Sequence, residues 1–261
     1  MTDIVQIKLW QFALIYLLLL VVISVMRFGK INKTRSVLWA SVRMSLQLTL
    51  AGLILTYIFQ NPHPLFIVVY LAGMIAFAIF RVFSINKRLN PRFRLIVAAS
   101  IAFSGLMVTA YFVWLVVGES LGNPRYVIPI AGMVMGNTMT GVSLGLKTFY
   151  QLLEDQTVRI ETLQNMGVKP DKLFLPLVRQ AMETAILPTI NSMLGTGIVS
   201  LPGMMTGQIL SGTLPMTAIL YQIAIMIAIC TTVCLSTFAS LYFGYRTLYN
   251  KRSQIQIGSA V

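Results

Sequence analysis

The sequence predicts an all-α, polytopic integral membrane protein, and three observations predict it. Of 261 residues, 57% are hydrophobic and only 10% are charged, with a mean hydropathy of +0.80. A soluble domain carries roughly 25% charged residues, and the few present here could not build a surface that keeps so apolar a chain in water. Charge-free runs recur along the chain, each close to the roughly 20 apolar residues that a membrane helix needs. Finally, 20 Lys and Arg stand against 7 Asp and Glu, a net charge of +13, and these basic residues fall on alternate loops. They form no nucleic-acid-binding patch, so the charge speaks for topology.

Cutting the chain at its charges gives the spans in order, because charges are costly inside a bilayer. Residues 9–26 form the first; no Ala-x-Ala-like cleavage site follows, so it reads as a retained span. Residues 37–59 form the second, with Arg43 inside it, and Asn61-Pro62-His63-Pro64 then breaks the helix. His63 reads as a turn residue. Residues 65–80, 95–118 and 126–146 make the third, fourth and fifth, the last two parted by Glu119 and the turn-forming Gly122-Asn123-Pro124. Thr184 to Tyr245 is uncharged for 62 residues, roughly 93 Å if one helix. That is too long for one span. Pro202, Gly203, Gly207, Gly212 and Pro215 gather in its middle, so spans six and seven are read over 185–200 and 216–245 with an apolar connection between them.

Sorting the basic residues by side fixes the parity. Arg27, Lys30, Lys33 and Arg35 fall in the first loop, and Arg81, Lys87, Arg88, Arg92 and Arg94 in the third. Lys147, Arg159, Lys169, Lys172 and Arg179 lie in the fifth, Arg246, Lys251 and Arg252 in the tail. With Arg43 these make 18 of 20, leaving Lys8 and Arg125 for the other side. By the positive-inside rule the N-terminus is outside, the C-terminus cytoplasmic and the number of crossings odd. The expectation is one transmembrane domain, 1–261, of about seven spans in the cell membrane.

Several chemistries are missing. Asp3 and Glu119 read as external, and Glu154, Asp155, Glu161, Asp171 and Glu183 fall in or beside the fifth loop, so no acidic residue is expected in mid-span, where ion-coupled carriers keep one. There is no phosphate-binding G-x-x-x-x-G-K-[ST] loop, no HExxH and no Cys/His cluster. Cys230 and Cys234 share a helical face and read as packing residues. No catalytic residue, bound cofactor or metal ligand is assigned, and the chain is not read as an enzyme.

The fifth loop, Lys147 to Glu183, is long and has the composition of a helix. Phe149, Leu152, Leu153, Ile160 and Leu163 recur at helical spacing; Gly167 sits where a helix would end; Pro170-Asp171 restarts one. A helical hairpin at 147–183 is what a membrane subunit needs to receive motion from a soluble motor. Glu161-Thr-Leu-Gln-Asn-Met-Gly167, followed by Leu175-Pro176, resembles the E-A-A-x-x-x-G … L-P coupling segment of ABC transporter permeases, with Thr162 and Leu163 in place of the two alanines.

Val127-Ile-Pro-Ile-Ala-Gly-Met-Val-Met-Gly-Asn137 and Ser200-Leu-Pro-Gly-Met-Met-Thr-Gly207, with Leu38-Trp39 and the Arg43/Gln47 pair, resemble the FetB-type permease family. That family is the membrane half of an iron-exporting ABC transporter and is related to plant aluminium-tolerance permeases. The resemblance covers Leu38 to Tyr249. It implies pairing with a separate cytoplasmic ABC ATPase that holds the ATP and Mg, through Glu161, Gly167, Leu175 and Pro176. A homodimeric permease core is the simplest assembly for a chain without repeats.

Pathway candidates follow from polarity inside spans. Arg43 and Gln47 lie one turn apart in span two; Asn137 in mid-span needs a partner, and Met139 beside it offers a soft sulfur. Gly132, Gly136, Gly141 and Gly145 are spaced for close helix approach. Pro202, Gly203, Met204 and Met205 are apolar yet expected to leave the helix, which suits an outer gate at membrane depth or an external loop. Two other readings remain open here: an ABC permease for an organic or nucleotide-linked solute, which Arg43 favours, and a non-transporting membrane scaffold.

Overall fold

The computed structural model describes residues 9–249. Asp3, Lys8, Lys251 and Arg252 lie outside the described residues. Among those described, α-helices dominate: α1 (Leu9–Phe28), α2 (Thr34–Gln60), α3 (Pro64–Ile85), α4 (Pro91–Tyr111), α5 (Pro124–Asp155), α6 (Thr157–Asn165), α7 (Pro170–Gly195), α8 (Gly203–Leu210) and α9 (Pro215–Gly244). A π-helical turn, Phe112–Val117, extends α4, and a 3₁₀ turn, Tyr245–Leu248, follows α9. Five helices begin at a proline, whose missing N–H costs nothing in a first turn. His63 and Asn123 cap two of them by accepting the N–H of Leu65 and Arg125 at 3.2 Å.

By length and composition, five helices among the described residues can cross a membrane: α2, α3, α4 with its π turn, α5, and α9 with its 3₁₀ turn. In α1 the apolar stretch Leu14–Phe28 is shorter. The chain is thus a multi-pass, all-helical membrane protein.

The described residues form two units, 9–61 with 210–213 and 62–209 with 214–249. In the first, α1 and α2 meet through Tyr16 and Ser45, whose hydroxyls lie 2.6 Å apart. In the second, α4, α5, α7 and α9 pack together and α3 lies against α5. Small residues set the spacing. A Cβ on Gly141 would lie 2.6 Å from Val233 Cγ1, and one on Gly145 would lie 2.9 Å from Thr237 Cγ2 and 3.2 Å from Ala185 Cβ. A Cβ on Gly244 would strike the Phe93 ring. The two GxxxG halves of α5 therefore differ: Gly141 and Gly145 face inward, while Gly136 is exposed with nothing within 4 Å.

Two readings are corrected. The apolar run 185–200 is not its own helix: α7 starts at Pro170, runs through Pro176 and Pro188 and stops at Gly195, with Gly197 in the left-handed region at φ +87°. Hydrogen bonding along a helix ignores the membrane boundary, so charges mark the end of the apolar run and not of the helix. For the same reason α5 continues past 146 to Asp155, and only Gln156 to Lys169 separates the two long helices. Likewise the 201–205 segment does become helical from Gly203, with Pro202 just ahead of α8, where proline is tolerated.

Candidate coupling site and pathway residues

Between α5 and α7 the chain makes one short helix and two tight corners. Thr157 Oγ1 donates to the carbonyls of Leu153 and Glu154, both at 2.9 Å, where α5 ends. At the other end Gly167 takes φ +82°; the N–H of Gly167 donates to Gln164 O at 2.9 Å and that of Val168 to Leu163 O at 3.1 Å. This paired closure is the Schellman motif, and its left-handed residue favours glycine. Ile160 is buried, whereas Val158 and Met166 are 78% and 75% exposed and Glu161 and Thr162 lie open between them. Pro176 is exposed on the first half of α7 and Leu175 is half-buried. So α6 shows outward two bare apolar tips around a carboxylate.

The base of α7 is aromatic. Phe174 of α7 stacks on Tyr245 and Tyr249, with ring centroids 5.8 and 6.3 Å apart. The hydroxyls of Tyr245 and Tyr249 donate to Asp171 Oδ1 at 3.0 and 3.1 Å. Burial, and the proton it donates to Asp171, push the Tyr249 phenol above its ordinary value. Arg88, between α3 and α4, pairs with Glu154 at the end of α5. Beside that pair lies a cleft of about 300 Å³ lined by Lys87, Lys147, Tyr150 and Gln151. Sequence reading missed these ties. Tyr245 and Tyr249 one turn apart, and an Asp in a first turn, were the available signals.

The pathway candidates are dispersed. Arg43 and Gln47 are both exposed on α2, in the first unit. Asn137 and Met139 point different ways: Asn137 is exposed, donating from Nδ2 to Met133 O at 2.8 Å, while Met139 packs against the core with Ile101 and Leu146. Met205 is buried and Met204 packs on the cluster around Ile67 and Phe112, so these methionines act as filler. Pro202 is half-buried and Gly203 exposed. Cys230 and Cys234 are free and half-buried. No group of three or more His, Cys, Asp or Glu that could hold a metal occurs among the described residues.

Glu183 was not expected where it stands. The contact of Gly145 with Ala181 and Ala185 sets it within the packed length of α7, beside α5 and α9, rather than at the edge of a loop.

These features define a class: a multi-pass helical membrane protein in which two long helices carry a short helical element on a single tight hairpin. The chain belongs to the family described as Uncharacterised protein family (UPF0014), which matches residues 9–249. It is 32% identical over 239 residues to "UPF0014 membrane protein slr1647" of Synechocystis, covering 90% of this chain and 91% of that one. It is 31% identical over 246 residues to "Probable iron export permease protein FetB" of Escherichia coli, covering 94% and 93%. To "Protein ALUMINUM SENSITIVE 3" of Arabidopsis thaliana it is 29% identical over 244 residues, covering 94% and 88%. No solved structure matches the chain.

Proposed function

We propose that the chain is the permease subunit of an ABC transporter that exports metal ions, iron among them, using ATP hydrolysed with Mg on a separate cytoplasmic ATPase. The observation that carries this reading is α6: a short, exposed helix with bare apolar tips at Val158 and Met166, tied directly to two long helices. A soluble element that shows apolar tips to water wants a protein partner, and one joined to rigid helices moves them when pushed. The relative described as an iron export permease, similar over nearly the whole of both chains, supports the cargo. Two copies of the chain would form the core and bind two ATPases.

The reading takes α1 and α7 as spans beside the five long apolar helices, seven in all, with the N-terminus outside, as the loop charges favour. Glu161 and Gly167 present the docking helix, and Leu175 and Pro176 follow it on α7. Arg43 and Gln47, on α2, are pathway candidates rather than part of the motor contact. Testing it takes the permease with the ABC ATPase of its own genome. The two should copurify, and proteoliposomes holding both should move Fe²⁺ only with ATP and Mg. Glu161→Lys should abolish copurification with the permease still folded. Undiminished pairing in that variant, or no ATP-driven metal movement with the wild-type pair, would overturn the reading.

A further inference from the structure

The second unit has a face that lipid cannot cover. Exposed Leu, Ile, Val, Phe, Met and Trp residues stud α3, α4 and α9, as a lipid-facing surface requires; α5, a helix of 32 residues, contributes none. Among the residues that α5 exposes instead are Pro129, Gly136, Asn137, Thr140, Lys147 and Glu154. Beside it the first half of α7 exposes Arg179, Gln180 and Glu183, and no large apolar residue of α7 is exposed before Leu187.

Depth makes this face informative. Gly145 is held against both Ala185 and Thr237, so Glu183 stands near the height of Thr237, nine residues, or about 13 Å of helix, before Arg246 at the cytoplasmic end of α9. At that height α9 turns apolar residues outward, Leu235 and Phe238. An exposed carboxylate there must face protein or a water-filled cavity.

Glu183 has oxygen groups along its own helix, and the exposed cations nearest its height are Arg179 of α7 and Lys147 of α5, two residues from Gly145. Pro188 has no N–H to give the carbonyl of Thr184, four residues back, so the helix leaves an acceptor free beside the carboxylate. Gln180 is one turn below on the same helix. Arg179 lies one turn toward the cytoplasm and forms no ion pair with Glu183 among the described residues. Carboxylate, carbonyl and amide oxygens suit hard or borderline divalent cations, which soft sulfur ligands do not select. One carboxylate per chain binds weakly enough to release, as a conduction site needs.

The geometry points to Glu183 as the cation-receiving carboxylate of the transmembrane pathway, on the polar face of α5 and α7. This inference rests on the proposed permease function and adds the residue and the ligand chemistry.

Mn²⁺, an oxygen-preferring divalent probe, is titrated by electron paramagnetic resonance into the purified permease without ATPase. Wild type should bind Mn²⁺, and Glu183→Gln should weaken binding at least tenfold. Glu183→Asp should recover most of the loss, and Glu154→Gln, at the exposed ion pair, should leave binding unchanged. Arg179→Gln should bind as well as wild type or better, since it removes a like charge. Monodisperse elution and ATPase copurification report the fold of each variant. The inference is overturned if wild type binds no Mn²⁺, if Glu183→Gln binds as wild type, or if Arg179→Gln loses binding as fully as Glu183→Gln, the mark of a structural ion pair. Failure of the wild-type pair to transport Fe²⁺ would instead sink the proposed function, whatever Glu183 binds.

Discussion

At the residue scale, the glycines of α5 show how one residue type serves two purposes on one helix. Gly145 lets α5 approach α7 and α9 closely, with Ala185 and Thr237 already within about 3 Å of where a side chain would begin. Gly145→Val should therefore lower stability by about 1–3 kcal/mol, the usual cost of overpacking, read as a drop in the Tm of the detergent-purified chain. Gly136→Val meets nothing within 4 Å and should leave that Tm nearly unchanged. The repeated spacing was legible in the sequence, but which pair faces inward was not, because GxxxG records proximity of small residues without saying to what. Asn137 and Met139 do not share a helix face for the same kind of reason: two positions apart on a helix is a turn of about 200°, which sends one side chain outward and the other toward the core.

Among the elements, α6 and its closing glycine were the most legible part of the site. A helix-spaced run ending in Gly167 needed only local rules, and the left-handed φ of +82° at that residue follows from them. Any L side chain there is strained, so Gly167→Ala should cost about 1–2 kcal/mol locally. The expected result is a sharp loss of ATPase pairing with little change in the Tm of the bundle, because α6 touches the neighbouring helices through few residues. What sequence could not give was the length of α5 and α7. Lys147, Glu154 and Arg179 end the apolar runs, yet both helices pass straight through them. The acidic residue set aside as a loop residue, Glu183, is consequently the one that α7 carries inward.

For the whole molecule, the basic residues that sorted onto alternate loops predict sidedness. Single cysteines at Gly122 and at Val158, in a chain with Cys230→Ala and Cys234→Ala, should react with a membrane-impermeant thiol reagent from opposite sides of the cell membrane. Labelling of both from the same side would refute the odd number of crossings between them. The fold class, the membrane location and the family were all legible from composition, charge sorting and two sequence strings. The aromatic base of Phe174, Tyr245 and Tyr249 under α7 was not, since it joins residues more than 70 positions apart through contacts that no local pattern announces.

The close contact of α5 with α7 and α9 at Gly141 and Gly145 has a mechanical meaning. From the midpoint of that contact, α5 extends about 18 Å to Asp155 and about 28 Å to Pro124, at 1.5 Å per residue. Were α5 to tilt about that contact, movement of the Asp155 end would carry the Pro124 end about one and a half times as far in the opposite sense, as in a first-class lever with its fulcrum at the two residues that have no side chain.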